Sequence, residues 1–247
     1  MDHIPEGKEY EERRSEWMKF LVLSFDDGTV YDERFVELLD RYQIPATFNL
    51  NSGLDDFVWY CDGHPIRRPR LADKPQIYQN HEVASHTLTH PWLTSLSDEE
   101  LIDEVSQDAD NLSRIYGREI VSFGVPFDAC TEREIGLIRD CTPIKYLRLS
   151  QMKPKYDFSA PEDPYHFEIN ALYQEDDIFE QLKAFAENER ETSVFIIAGH
   201  SYEFELSGHW GYIEELLRYI RSLEGVETVT FGEAARRLFD DKTTKNK

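Results

Sequence analysis

The residues of this 247-residue chain that could carry out chemistry fall into three short stretches. The first is SFDDG, in which Asp26 and Asp27 follow an apolar run and precede Gly28. Adjacent carboxylates at the end of a strand point in different directions, so the two could take separate roles. The alternative is an ordinary turn, in which one aspartate caps the backbone and the other is solvated.

The second stretch, EVASHTLTHPW (residues 82–92), places His86 and His90 four residues apart. The overlapping HEVASH is not an HExxH zinc motif, because His81 and His86 are five residues apart and would leave a common helix face. Pro91 disfavours the α conformation at His90, so the pair is predicted to lie in a loop or a single turn. By itself the pair is compatible with a metal site or with two unrelated imidazoles.

The third stretch is AGHSYEF, in which His200 follows the apolar run VFII and a glycine. This position directs the imidazole out of the end of a predicted strand. Glu203 or another acid could orient it. The alternative is a structural histidine.

Considered together, these residues form a complete set for metal-assisted hydrolysis of an acyl compound. Asp27, His86 and His90 would supply one carboxylate and two imidazoles, which leaves coordination positions open for water and substrate. Asp26 would accept a proton from that water, and His200 would act as a general acid across the site. The combination predicts that the histidine pair binds a metal.

The elements that must position these residues are visible as apolar runs that alternate with amphipathic helical stretches. FLVLSF (20–25) is predicted to be a buried strand and DERFVELLDRYQ (32–43) a helix. The helical segment 95–117 begins with a capping-box signature, in which Ser97 precedes Glu100 by three residues. Further strands are predicted in ATFNLN, EVAS, EIVSF, IKYLRLS, YHFEIN, SVFIIAG and VETVTF.

This alternation predicts an α/β fold with a parallel sheet, open or closed into a barrel. Catalytic groups in such folds lie where strands end and loops begin, as all three stretches do. Residues 53–80 show no clear periodicity and contain the basic RRPR, so they are predicted to be a loop insertion, functional or merely tolerated. Because no linker or internal repeat is visible, residues 1–247 are predicted to form a single domain.

The charge balance narrows the choice of partners. The chain has 49 acidic and 27 basic residues, a formal net charge of −22, which repels nucleic acid and anionic membrane surfaces. A neutral or cationic substrate is therefore favoured over a polyanion. The N-terminal segment lacks the apolar core of a signal peptide, and the three cysteines lack CxxC spacing. A cytoplasmic location is the expectation, and the oligomeric state stays open.

The three stretches resemble the signatures of the polysaccharide deacetylase family, the NodB-like carbohydrate esterases of family 4. LSFDDGTVYDERFVELLDRYQIPATFNLNSG resembles the first signature with its helix and strand, HEVASHTLTH the second and VFIIAGHSYEF the last. The resemblance implies a distorted, incomplete (β/α) barrel of seven strands. It also implies Asp26 as general base, His200 as general acid, and Asp27, His86 and His90 as ligands of a divalent metal ion, usually zinc.

The middle of the chain departs from the family pattern. The third signature reads roughly R-P-P-Y/F-G, whereas this chain has GVPFDA, with Gly124 in place of the arginine and Asp128 in place of the glycine. The resemblance implies that the backbone N–H of Phe127 helps to hold an oxyanion. Arg148, at the end of the predicted strand IKYLRLS, is predicted to replace the missing arginine beside Asp26. The alternative is a solvated or structural arginine.

The sequence thus predicts a metal-dependent hydrolase that removes an N-acetyl or O-acetyl group from a sugar or oligosaccharide. The family's fourth signature has no convincing counterpart in residues 150–175, which leaves open a small non-sugar amide as the substrate. A third hypothesis is a non-catalytic carbohydrate-binding module. His166 and His209 have no assigned role. Trp59, Tyr60 and the stretch HPIRRPR (64–70) of the insertion form either a substrate wall or a plain packed loop.

Overall fold

The computed structural model describes residues 17–128 and 130–245, with side chains up to residue 241. Its largest sheet contains strands from one end of the described chain to the other. These strands are β1 (Met18–Asp26), β2 (Thr47–Leu50), β5 (Glu82–Ser85), β6 (Ser122–Gly124), β7 (Tyr146–Met152), β8 (Phe167–Ile169), β9 (Ala171–Leu172), β10 (Thr192–His200) and β11 (Glu227–Val229).

The strands of this sheet are parallel and follow the order β8-β7-β6-β5-β2-β1-β10-β9, with β11 paired to β1 outside that path. The sheet curves into a nearly closed barrel, which confirms the predicted α/β barrel. The short strands β9 and β11 add to the seven that were expected.

Helices pack around this barrel. Within the described ranges they are α1 (Asp32–Tyr42), α2 (Asp98–Tyr116), α3 (Glu132–Cys141), α4 (Ile178–Glu187), α5 (Ser201–Leu206), α6 (Trp210–Ser222) and α7 (Phe231–Lys245). The predicted capping box of α2 is present, since the Ser97 side chain accepts from the Glu100 N–H and the Glu100 carboxylate accepts from the Ser97 N–H. In the same described ranges, none of the helices combines the length and the apolar character needed to cross a bilayer.

Strand β1 shows how the barrel interior changes character along its length. Successive side chains of a strand point to opposite faces, so Phe20, Val22, Ser24 and Asp26 share one face. Phe20 and Val22 belong to a buried apolar cluster, whereas Ser24 and Asp26 are polar and lie towards the carboxyl end. The interior therefore becomes polar at the carboxyl edge of the sheet, where the site residues are gathered.

The insertion at residues 53–80 is more ordered than the sequence predicted. It contains an antiparallel hairpin of β3 (Val58–Cys61) and β4 (His64–Arg67), followed by two 3₁₀ helices at Leu71–Asp73 and Pro75–Tyr78. The expectation of a loop without periodic structure is wrong here. We call β3, β4 and the following Arg68 the inserted hairpin.

Candidate active site

A cavity of about 590 Å³ opens at the carboxyl edge of the barrel. This volume is within the usual range for small-molecule sites. The inserted hairpin contributes Trp59 and Arg68 to its wall. All the site residues predicted from the sequence line this cavity, namely Asp26, Asp27, His86, His90, Phe127, Arg148 and His200.

Three of these residues form a cluster suited to a metal ion. One ligand atom from each of Asp27, His86 and His90 lies within 4.8 Å of the other two. One carboxylate oxygen and two imidazole nitrogens make a donor set that suits a divalent ion such as zinc. The residues therefore fit the metal that the sequence implied.

The environment of His86 keeps it in the form that a ligand needs. Burial lowers the pKa of His86 to about 4, so the ring is neutral at pH 7. Its Nδ1 lies 2.7 Å from the carbonyl oxygen of Gly124. A carbonyl can only accept, so Nδ1 carries the proton and the lone pair of Nε2 is free for a metal. Burial lowers the pKa of His90 as well.

The two histidines reach the cluster through a tight loop rather than a helical turn. His86 directly follows β5, and both Thr87 (φ 68°) and His90 (φ 59°) have left-handed backbone conformations. Such conformations cost about 1–3 kcal/mol each in residues other than glycine, and they persist where the surroundings enforce them. Here Asn51 Nδ2 donates to the carbonyl oxygens of His86 and Thr87.

A buried carboxylate that the sequence reasoning missed supports the same loop. Asp108 of α2 is fully buried. It accepts from the Ser85 hydroxyl at 2.6 Å and from the backbone N–H groups of Ser52 at 2.7 Å and His86 at 3.2 Å. Burial raises the pKa of Asp108 to about 7. Its signal in the sequence was an aspartate on the apolar face of a helix.

Asp26 lies beside the metal cluster and is held in its ionised form. Arg148 Nη2 donates to Asp26 Oδ1 at 2.5 Å, and Asn49 Nδ2 donates to the same oxygen at 2.7 Å. Burial raises the pKa of a carboxyl group, but the charges of Arg148 and of protonated His200 outweigh it, so the pKa of Asp26 lies below its ordinary value.

Arg148 reaches Asp26 from the third position of β7, rather than from the strand end as expected. It is fully buried, and its register partner on β6 is Gly124. A Cβ atom at position 124 would lie 2.5 Å from Arg148 Nη2. The glycine that replaces the family's arginine therefore leaves the space that Arg148 occupies.

His200 ends β10, directly beside Asp26 on the neighbouring strand β1. Its Nδ1 lies 3.2 Å from Glu203 Oε1, and its Nε2 lies 3.8 Å from Asp27 Oδ2. Burial opposes protonation, but the hydrogen bond to Glu203 and the charge of Asp27 outweigh it and raise the pKa of His200 to about 9. The imidazole is therefore protonated at neutral pH and able to donate from Nε2.

A second buried carboxylate joins the segments that carry the aspartate pair and His200. The hydroxyls of Thr29 and Ser201 lie 2.8 Å apart, and Ser201 also donates to Asp32. Tyr78 from the insertion donates to the other oxygen of Asp32 at 2.7 Å. Burial raises the pKa of Asp32 to about 6. Sequence reasoning missed this network, because its members are far apart in the chain.

Arg68 is a further site residue, which the sequence analysis named only as part of HPIRRPR in a possible substrate wall and not as a partner of Asp27. Its Nε donates to the carbonyl oxygen of Asp27 at 2.8 Å, and its Nη2 donates to Asp27 Oδ1 at 2.5 Å. Both side chains are buried. The only signal in the sequence was the basic run RRPR in the insertion.

Aromatic and aliphatic side chains surround the mouth of the cavity. Trp92 and Phe127 stack with their ring centroids 4.2 Å apart and their planes within 1° of parallel, and the Phe127 ring meets His90 edge-on at 4.5 Å. Trp59 lines the cavity, whereas Tyr60 is 72% exposed outside it. Within the described residues, every exposed large hydrophobic side chain lies at or after the carboxyl end of a barrel strand: Val30, Phe57, Val58, Tyr60, Trp92, Phe127, Met152, Tyr156 and Leu172.

The two histidines without an assigned role lie outside the cavity. His166 lies between Asp163 at 2.7 Å and Glu132 at 3.1 Å on the surface. His209 precedes α6, with its Nδ1 3.5 Å from the Tyr173 hydroxyl.

Comparison with known families agrees with this geometry. The family model described as "Polysaccharide deacetylase" matches residues 14–142, which is more than half of the chain. The chain belongs to the polysaccharide deacetylase family. Known members of this family include carbohydrate deacetylases, which are hydrolases of carbon–nitrogen bonds.

Individual relatives of the family are distant from this chain. A chitooligosaccharide deacetylase of Sinorhizobium fredii is 35% identical over 77 residues, 30% of this chain and 31% of that protein. The chain matches less than half the length of the curated relatives, with shares of 31–43%.

Solved structures of the family share the fold over most of this chain. The Xyl-CE4 domain of a multidomain xylanase from the hindgut metagenome of Trinervitermes trinervoides superimposes with a TM-score of 0.57 at 20% identity, over 92% of each chain. A family 4 acetyl xylan esterase from Clostridium thermocellum, in complex with a cobalt ion, gives 0.55 at 17% identity, over 89% of this chain and 91% of that one.

Proposed function

We propose that this chain is a metal-dependent deacetylase that removes an acetyl group from the nitrogen or oxygen of a sugar or oligosaccharide. The observation that carries the proposal is that three metal-ligand candidates, a carboxylate and a protonated imidazole converge on one cavity. Asp26 and His200 lie on the neighbouring strands β1 and β10 and are register partners. An acyl group in the cavity would therefore have a base and an acid next to each other at the same edge of the sheet.

Asp27, His86 and His90 would hold the metal, for which we propose zinc. Two borderline imidazoles and one hard carboxylate suit zinc, and catalytic zinc sites use three protein ligands. When bound, the ion would supply Lewis acidity towards the acyl oxygen and lower the pKa of water. The cobalt ion in the related acetyl xylan esterase supports a divalent metal at this site.

Asp26 would accept the proton of the attacking water. A general base must be ionised at the working pH, and the ion pair with Arg148 keeps the carboxylate charged inside a largely buried site. Asn49 donates a second hydrogen bond to the same oxygen. The orientation of the base is thus fixed before a substrate arrives.

His200 would donate a proton to the leaving nitrogen or oxygen. Its raised pKa of about 9 means that the donor form predominates at neutral pH. Glu203 holds Nδ1, so Nε2 is the nitrogen directed to the site. Glu203 would thus orient the His200 ring, the role considered for it in the sequence analysis.

The oxyanion would be held by the backbone N–H of Phe127, as the family resemblance implied. Phe127 has a left-handed backbone (φ 57°), and among the described residues its N–H donates to no acceptor. Preorganised N–H donors of this kind stabilise the charge that develops on an acyl oxygen. The Trp92–Phe127 stack beside it offers an aromatic face to a sugar ring.

The test combines metal analysis with acetate release. We expect the purified chain to hold about one divalent ion, which His86→Ala loses, since a three-ligand site loses a third of its donors. His166→Ala is the matched control and should keep the metal, because His166 lies outside the cavity. Equal metal content in wild type and His86→Ala would contradict the site.

Acetate release separates the substrate hypotheses. A panel should contain N-acetylated and O-acetylated oligosaccharides together with small non-sugar amides. Turnover confined to the oligosaccharides supports the proposal, and turnover confined to the small amides assigns the same chemistry to another substrate class. Metal binding and sugar binding without acetate release would indicate a non-catalytic carbohydrate-binding module.

A further inference from the structure

We infer that Arg68 of the inserted hairpin is a positioning residue for the metal ligand Asp27, and that the insertion is thereby a working part of the metal site. The inference rests on the proposed function, because it takes Asp27 to be a ligand. It goes beyond that function by giving a role to a segment that the sequence showed only as an insertion.

Arg68 donates hydrogen bonds to two separate groups of Asp27. One guanidinium nitrogen of Arg68 binds the backbone carbonyl of Asp27 at 2.8 Å, and another binds its carboxylate at 2.5 Å. The planar guanidinium presents its donors in a fixed fork. The two bonds therefore set the position of the backbone and the direction of the side chain together.

Asp27 needs such support because its backbone is in an unfavourable region. Its φ of 81° lies in the left-handed half of conformational space, which aspartate adopts only at a cost. Its N–H donates to the Asn49 carbonyl at 3.1 Å, and Arg68 is the donor to its C=O. Without Arg68 the Asp27 carboxylate could rotate away from His86 and His90.

The hairpin is built to hold Arg68 in place. The guanidinium lies over the Trp59 ring, with its carbon 4.8 Å from the ring centroid. The backbone N–H of Arg68 donates to the Phe57 carbonyl at 2.9 Å. The adjacent Arg67 carbonyl accepts from the Val30 N–H at 3.0 Å, which joins the hairpin to the loop after β1.

Charge alone does not explain the arrangement. A guanidinium beside a metal ligand repels a cation, so a residue selected only for affinity would not be positive. What the fork supplies is geometry, and hydrogen bonds that orient metal ligands commonly account for 10–100-fold in affinity or activity. A lysine at this position would keep the charge and lose the fork.

The chain provides a matched control at the neighbouring position. Arg67 belongs to the same hairpin and has the same charge, but its side chain is 59% exposed and its Nη2 pairs with Asp56 at 3.0 Å. Arg67→Lys therefore reproduces the chemical change of Arg68→Lys without touching Asp27. Any effect of lysine on the hairpin as a whole would appear in both variants.

The experiment measures the dissociation constant of Zn²⁺ for the metal-free full chain, by competition with a chromophoric chelator at pH 7. We expect Arg68→Lys to bind Zn²⁺ about 10–100-fold more weakly than wild type, and Arg67→Lys to remain within about twofold of it. The temperature of unfolding, with and without Zn²⁺, is measured in parallel, and the Zn²⁺-induced rise should be smaller for Arg68→Lys alone.

Several results would overturn the inference. Arg68→Lys with wild-type affinity does so, and so does an equal loss in both variants or a lowered unfolding temperature with unchanged affinity. If Arg68→Lys does not fold, the Zn²⁺ affinity of Trp59→Leu is measured instead. This variant keeps the Arg68 guanidinium and removes the ring that it lies over. A several-fold weaker affinity supports the inference, and wild-type affinity overturns it. A wild-type chain that binds no Zn²⁺ overturns the proposed function and this inference together.

Discussion

Gly124 and Arg148 face each other across β6 and β7, and the guanidinium of Arg148 occupies the space that a side chain at position 124 would need. The two residues account together for the missing arginine of the family's third signature. An arginine on β7 can reach the base on β1 only if the residue in its path is a glycine.

Gly124→Ala should therefore impair the proposed base Asp26 indirectly, through the two residues that donate to it. The added methyl would lie 2.5 Å from Arg148 Nη2 and 2.7 Å from the Asn49 side chain, so both donors to Asp26 are displaced. We expect the free energy of unfolding to fall by about 1–3 kcal/mol, as for other overpacked cores, and kcat to fall with it. Gly136→Ala is the control, because its Cβ would meet only Arg139 Nη2 at 4.0 Å. Equal effects of the two substitutions would refute the coupling.

Arg148→Met should change the pH profile of the reaction in a defined direction. Arg148 lowers the pKa of Asp26, so its loss raises that pKa, and the ionised base disappears at a higher pH than in wild type. The acidic limb of kcat against pH should move upward, while the metal content stays intact because Asp27, His86 and His90 are untouched. An acidic limb that does not move would show that Arg148 has only a structural role.

Glu203→Gln should move the opposite limb. The hydrogen bond and charge of Glu203 raise the pKa of His200 to about 9, so the amide should return that pKa towards its ordinary value near 6.5. The protonated acid would then be lost at lower pH, and the basic limb of kcat should move down. Glu205→Gln is a control of the same chemistry on α5, since Glu205 binds Trp210 Nε1 rather than His200. A basic limb that stays in place would assign the acid to another group.

The same shift has a consequence for stability. A histidine whose pKa is raised on folding contributes stability that is fully present below pH 6.5 and is lost as pH rises through about 9. In Glu203→Gln this loss should become smaller. Denaturant unfolding of both proteins at pH 6 and pH 10 measures it, and an identical pH dependence would contradict the assignment.

Asp32→Asn should remove a loss of stability that the wild-type protein undergoes as pH rises. Burial raises the pKa of Asp32 from 3.8 to about 6, so the folded state binds the proton more tightly, and its advantage is lost as pH rises from about 4 through 6. Asparagine cannot ionise, so the stability of the variant relative to wild type should rise by on the order of 2–3 kcal/mol between pH 4 and pH 8, even though its Nδ2 cannot accept a hydrogen bond from Ser201 or Tyr78. Unfolding free energies at pH 4 and pH 8 test this. An equal difference at both pH values would mean that Asp32 does not titrate as stated.

Local signals in the sequence predicted the elements that contain the site. The capping box at Ser97 fixed the start of α2, and the apolar run before Asp26 located β1. Arg148 was predicted from the need of a buried base for a cation. Its position in the middle of β7 was not predicted. The route of its side chain from β7 to Asp26 on β1 depends on the packing of the barrel interior and on the absence of a side chain at Gly124.

The residues that the sequence did not reveal act through long-range contacts. Asp32 and Asp108 look like ordinary helix residues, and only burial against distant partners gives them their role. The inserted hairpin did have a local signal, since Asp62 and Gly63 form a two-residue turn with positive φ at both positions. Pro65 within the second strand obscured that pattern.

The inserted hairpin sets a practical limit on redesign of this protein. Arg68, the last residue of the hairpin, donates two hydrogen bonds to Asp27. The turn at Asp62 and Gly63 takes no part in those contacts. A loop graft intended to change the proposed substrate specificity would remove a support of Asp27 if it replaced the whole segment. Library design should therefore randomise the exposed positions near the turn, such as Tyr60, and keep Trp59 and Arg68 fixed.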